Sequence, residues 1–117
     1  MTVTDSFRTF VLEQLNRAVQ SVRAKGMFGG VGIYSGDLFF AIIDDDAVYF
    51  KTNAATQQEF EARGMGPFRP AGAGAGGETM KYHQLPDDVL ENPEALRVWA
   101  DKAIAVARQA KQARRRK

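Results

Sequence analysis

Residues 35–52 read Ser-Gly-Asp-Leu-Phe-Phe-Ala-Ile-Ile-Asp-Asp-Asp-Ala-Val-Tyr-Phe-Lys-Thr (SGDLFFAIIDDDAVYFKT). Two runs rich in β-branched and aromatic residues, Asp37–Ile43 and Ala47–Thr52, are separated by Asp44-Asp45-Asp46 and preceded by Ser35-Gly36-Asp37. Glycine supplies positive φ and aspartate bonds its own backbone, so both tripeptides are turn chemistry and the runs are antiparallel strands in tight hairpins. Upstream, Val31–Tyr34 reads as the preceding strand of the same meander and Val22–Phe28 as a first strand. In Leu38–Ile43 the alternate sets Leu38, Phe40, Ile42 and Phe39, Ala41, Ile43 are both apolar. A sheet with one wet face alternates apolar with polar residues, so both faces of this strand are expected to be covered. The cover for the second face is sought in the short helix, the last helix or another subunit. A homodimer is the favoured expectation, with Phe39, Ala41, Ile43 and Trp99 as its interface.

Outside the meander the period changes to three and four. Phe7, Phe10, Val11, Gln14, Leu15, Ala18 and Val19 form one stripe, predicting an amphipathic helix over 5–21 with Thr4 or Asp5 as N-cap. Asn53 or Thr56 caps a short helix, Thr56–Arg63, anchored by Phe60 and stopped by Gly64. Pro67–Pro70 and Glu78–Leu85 read as a second hairpin across the low-complexity loop Ala71–Gly77. Pro86 opens a helical turn at Asp87–Leu90. Asn92-Pro93 starts a last helix whose stripe is Leu96, Trp99, Ala100, Ala103, Ile104 and Ala107. The order α-β(4)-α-β(2)-α predicts a two-layer α+β domain with helices on one face of an antiparallel sheet.

The 117 residues suit one domain, placed at 1–107 with a basic tail at 108–117. The net charge of +2 conceals an asymmetry: residues 1–107 carry 10 basic and 14 acidic groups, net −4, and the tail carries six cations. Arg114, Arg115, Arg116 and Lys117 are therefore the candidate nucleic-acid contact, weighed against a solvated helix end whose cations suit the negative pole of the dipole. Absence of cysteine excludes disulfides and thiolate chemistry. No apolar run is long enough for a bilayer and no leader pattern opens the chain, so a cytoplasmic protein without membrane contact is expected.

Catalytic and cofactor constellations are not legible. Gly29-Gly30-Val31-Gly32 and the loop Ala71–Gly77 each join two strands, whereas a phosphate loop needs a helix N-terminus behind it. The glycines are read as architecture, a bulge or a close backbone approach. Asp44-Asp45-Asp46 fans out in a turn and lacks calcium-loop spacing. His83, the single histidine, is read as a polar residue on a half-exposed strand, since no nucleophile and orienting group accompany it. Tyr49 and Lys51 share a strand face, and Trp99 is read as a core anchor. No cofactor and no metal are expected.

The set Met27-Phe28-Gly29-Gly30-Val-Gly-Ile-Tyr34, Phe39–Ile43, Tyr49-Phe50-Lys51, Phe60-Glu61, Pro67-Phe68, Tyr82, Leu85–Leu90, Leu96 and Trp99-Ala100 resembles the N-terminal domain of the TfoX/Sxy competence-regulator family over about residues 7 to 107. The resemblance implies a two-layer α/β fold similar to secretion-chaperone-like domains. It also implies a role in regulating competence genes, in which full-length members act with the cyclic-AMP receptor protein. Where those members carry a second helical domain, this sequence runs into Ala113-Arg-Arg-Arg-Lys117. The leading expectation is a non-enzymatic regulatory module binding a protein partner, with transcriptional machinery as the candidate. The alternatives are a nucleic-acid accessory acting through the tail and a small-ligand-binding domain.

Overall fold

The structure, a computed structural model, describes residues 4–27, 30–68 and 81–115, with side-chain surroundings for 4–26, 30–68 and 81–113. The expectations for Phe28, Gly29, the Met27 side chain, the loop Ala71–Gly77, the side chains of Arg114 and Arg115, and Arg116 and Lys117 lie outside the described residues. The elements are α1 (Asp5–Ala18), β1 (Val22–Met27), β2 (Gly30–Ser35), β3 (Leu38–Asp44), β4 (Ala47–Lys51), α2 (Ala54–Ala62), β5 (Tyr82–Gln84), α3 (Asp87–Leu90) and α4 (Pro93–Arg115). The strands form one antiparallel sheet in chain order, β1-β2-β3-β4-β5, as hairpin connections dictate. The fold is α+β, as the sequence predicts.

Local chemistry fixes the element ends. The Thr4 hydroxyl accepts from the amide of Phe7, capping α1, and the Asp46 carboxylate takes both the Thr4 amide and its hydroxyl. The β3–β4 turn is thereby tied to the start of α1. Asp45 and Asp46 hold φ of 50° and 55°, the left-handed pair that a two-residue hairpin needs. Asn53 and Thr56 bond each other's backbone reciprocally, a capping box that starts α2 two residues before the expected Thr56. Asn92 caps α4 by accepting from the amides of Glu94 and Ala95. α1 stops at Ala18, because Val19 turns extended and its N–H closes on the Leu15 carbonyl.

The main core lies between the sheet and α1, α3 and α4. Leu15, Ile33, Phe40, Phe50, Leu96 and Ala100 are among its fully enclosed members. α4 lies along β3 and β4 and packs on α1, and Gln14 of α1 donates to the Leu90 carbonyl, locking α1 to α3.

Of the second hairpin, the described residues hold β5 and the bridge from Pro67 to His83, with the Phe68 N–H donating to the Tyr82 carbonyl and the Gln84 N–H to the Gly66 carbonyl. Its positions at Arg69, Pro70 and Glu78–Met80 lie outside the described residues. One expectation is corrected, and it concerns the faces of β3. Ile33 pairs with Ala41 but Tyr34 pairs with Phe39, so Phe40 is the extra residue of a β-bulge. Phe40 turns in with Ala41 and Ile43 toward the helices, while Phe39 and Ile42 take the opposite face. Ala41 and Ile43, expected at a subunit interface, are 0% exposed beneath the helical layer and can touch no partner. α4 runs unbroken from Pro93 to Arg115, so the basic tail expected from position 108 begins as the end of this helix.

Candidate functional site: the helix-free face of the sheet

Strand register decides which side chains leave the helical layer. Arg23 and Lys25 of β1 stand opposite Tyr34 and Gly32 of β2, and Ile42 of β3 stands opposite Tyr49. Lys51 and Tyr49 of β4 stand opposite Tyr82 and Gln84 of β5. Antiparallel partners share a face, so these residues and Phe39 line the side of the sheet away from the helices. An aromatic band crosses it. The rings of Tyr34 and Phe39 stack at 5.0 Å, Phe39 meets Tyr82 at 5.7 Å, and Tyr49 meets Phe68 at 4.8 Å.

Phe68 answers part of what the doubly apolar strand demands. It folds from the outer edge of β5 onto this face and buries Ile42 and Tyr82, which are 8% and 5% exposed. The cover sought in a partner is thus supplied in part from within the chain. Phe39, Tyr49 and Tyr34 remain half-buried at its margin.

Cations frame the band. The Lys51 ammonium lies 5.0 Å from the centre of the Tyr82 ring, a cation–π contact. Lys111, from the last turns of α4, is ion-paired with Asp37 in the β2–β3 turn. Arg23 reaches the Gly36 carbonyl at 3.5 Å. At the other end of the face, burial first and then the negative charges of Asp44 and Asp45 push the Tyr49 phenol above its ordinary value. Two hollows of about 220 and 240 Å³ open at the β2–β3 end, and Tyr34 and Asp37 line both.

Another chemistry-bearing group lies on the helical side. His83, expected half-exposed, is 4% exposed, because β5 places it opposite Phe50 and beneath Phe60 of α2. Its Nδ1 is 3.1 Å from the Thr52 hydroxyl, and its Nε2 is 3.7 Å from Glu61. The series Thr52–His83–Glu61 has the order of a nucleophile, a base and a carboxylate. Thr52, however, is 1% exposed, so no substrate carbonyl can reach its oxygen, and the group serves to satisfy buried polarity. Sequence reasoning missed this set: its members are joined only by tertiary pairing, and a lone histidine carries no motif.

One glycine of the glycine-rich stretch, Gly30, has a structural cause. A Cβ there would stand 2.5 Å from the Ile43 carbonyl oxygen, so the β2 backbone approaches β3 too closely for any side chain. Residues 13–107 match the family described as TfoX N-terminal domain. The chain belongs to that family. No curated protein matches it significantly. Of the residues that carried the resemblance to TfoX, Tyr49 and Lys51 lie on the helix-free face, and Phe50 between them is fully buried in the main core. Trp99 packs edge-on against Phe60 at 4.8 Å with the Arg63 guanidinium 5.9 Å from its ring centre, at the margin of the core. No helix among the described residues is long and apolar enough to cross a membrane.

Proposed function

We propose that this chain is a non-enzymatic regulatory module of the competence-regulator kind, working in the cytoplasm by contact with proteins of the transcription machinery. The observation that carries the reading is the TfoX N-terminal domain match over residues 13–107. Two features of the molecule agree with it. The only histidine is sealed from substrate, and the helix-free face leaves Phe39 and Tyr49 half-exposed beside the cover given by Phe68. Half-exposed aromatics at the margin of a packed patch are the side chains that anchor interfaces.

The test is capture of purified cyclic-AMP receptor protein and RNA polymerase by the immobilised chain, compared with a Phe39→Ser/Tyr49→Ser variant. Binding by the native chain is expected to fall at least about tenfold in the variant, the loss of one anchor, while the far-ultraviolet spectrum is unchanged. Capture of neither protein by the native chain overturns the reading. A dimer in light scattering that the same variant dissociates would instead assign the face to a second copy.

A further inference from the structure

The family reading takes Phe39 as an anchor but leaves unused its ring partner Tyr34 and the cations that converge at the β2–β3 end of the sheet. We propose that this end binds single-stranded nucleic acid, with a base stacked at Tyr34 and neighbouring phosphates held by the cations around it.

The geometry has three parts. Tyr34 lines two adjoining hollows of about 220 and 240 Å³. The first wraps round the end of the sheet to Ala107, Ala110 and Lys111 of α4 and has Phe39 and Lys51 in its wall, and the second has Arg23 and Lys25. An aromatic ring therefore stands between two pairs of cations. Tyr34 is already stacked on Phe39 with an interplanar angle of 24°, so the pair is a rigid platform to which a base adds a third layer with little loss of side-chain freedom.

Charge supports the choice of ligand. Residues 1–107 carry a net −4, yet the two hollows gather four cations and one carboxylate, Asp37. Asp37 is paired with Lys111 and so positions that ammonium, while Lys51 stays over the Tyr82 ring. Both cations keep their present partners and add long-range attraction. Arg23 and Lys25, both exposed on the edge strand, are the direct phosphate contacts. α4 continues one turn past Lys111 into Arg114 and Arg115, extending the basic run along the same helix. A duplex would offer this surface only its backbone, since its bases are stacked inside. Single strands present unstacked bases to rings on open sheets, and base–aromatic stacking there is worth about 1–3 kcal/mol per base. An acidic peptide would satisfy the cations but has no use for a stacked ring pair.

The test is fluorescence anisotropy of the full chain with a labelled oligothymidylate of about ten nucleotides at about 50 and about 200 mM salt. Tyr34→Ala is expected to weaken binding between about fivefold and about a hundredfold, the stacking energy converted at tenfold per 1.4 kcal/mol, and Tyr34→Phe to stay within about twofold. Arg23→Gln/Lys25→Gln, at exposed positions, is expected to lower the slope of log affinity against log salt by about 1.4, at about 0.7 per phosphate contact. Any one of four results overturns the proposal. They are absence of binding at low salt, Tyr34→Ala binding as well as the native chain, a matching duplex binding more tightly than the single strand, and an oligoglutamate displacing the oligonucleotide at equal charge. If Tyr34→Ala fails to fold, an unchanged slope in the exposed double variant overturns it independently. Binding lost only when Arg114–Lys117 become glutamine also overturns it, since the tail alone would then be the contact.

Discussion

The carbonyl oxygen of Ile43 lies 2.5 Å from the point where a Cβ on Gly30 would stand. The clash is with backbone, which cannot rotate away, so Gly30→Ala must displace β2 from β3 at the Val31–Ile43 pair. We expect a loss of about 3 kcal/mol, the upper end for overpacking, and a melting temperature lower by about 12 °C. Gly36 gives the comparison. It sits at φ +61° with open space around its Cβ position, so Gly36→Ala incurs only the left-handed backbone penalty of about 1–2 kcal/mol. Thermal melts of the two variants check the ranking, and a native melt for Gly30→Ala refutes the close approach.

The bulge at Phe40 predicts unequal costs at adjacent positions. Phe40 is fully enclosed and meets Phe50 edge-on at 5.7 Å, so Phe40→Ala should cost about 3–5 kcal/mol. Phe39 is half-exposed on the other face, and Phe39→Ala should cost no more than about 2 kcal/mol. Ala41→Asp buries an unpaired carboxylate under α4 and should abolish folding. Urea midpoints at constant slope separate these cases. Strict alternation would pair Phe39 with Ala41 in sensitivity, and that outcome would remove the bulge.

The Thr52–His83 bond predicts a role in stability. Thr52→Val keeps the volume but leaves His83 Nδ1 buried without its 3.1 Å partner, a loss of about 1–3 kcal/mol. Thr52→Ser retains the hydroxyl and should recover most of it. Chemical denaturation of both variants measures the difference, and equal midpoints would show the bond to be idle.

These positions also show why the sequence was legible where it was. Gly36, the Asp45-Asp46 pair and Asn92-Pro93 act within a few residues of themselves, so hairpins and the start of α4 could be read from neighbours alone. The bulge leaves no local mark: it adds one residue to an apolar run and reverses the faces on either side of Phe40. The expected interface of Phe39, Ala41, Ile43 and Trp99 is split for that reason, with Ala41 and Ile43 buried under the helices and Phe39 on the opposite face. His83 reads as half-exposed from its neighbours because its cover, Phe60 of α2, arrives from 23 positions away in the chain. The cations of the helix-free face were each visible, but their meeting at Tyr34 depends on the register of β1 against β2 and on where α4 sets Lys111.

Asp88 predicts the acid side of the stability profile. The hydrogen bond from Arg63, at 2.7 Å to each carboxylate oxygen, is the main cause holding its pKa below the ordinary 3.8. A depressed folded value means that the contribution is present above the unfolded pKa and is lost as pH falls through the folded one. Melting temperature should therefore drop more steeply below pH 3.8 in the native chain than in Asp88→Asn. The carboxylate is fully exposed, so the difference is small. Parallel slopes for the two proteins would show that the pair contributes nothing.

Tyr49 predicts the alkaline side. Burial is the first cause of its raised phenol pKa, and Asp44 and Asp45 add to it. The folded value lies above the unfolded 10.0, so folding favours the neutral phenol, and this stabilisation erodes as pH rises from the unfolded pKa toward the folded one. The chain has three tyrosines, and the difference between tyrosinate absorbance titrations of the native protein and Tyr49→Phe isolates this one. Asp44→Asn/Asp45→Asn should move the isolated transition downward yet leave it above 10.0, because burial remains. A transition that falls to the ordinary value in that variant would make charge, and not burial, the dominant cause. Tyr49 would then be more open to solvent on the helix-free face than its packing against Phe68 requires.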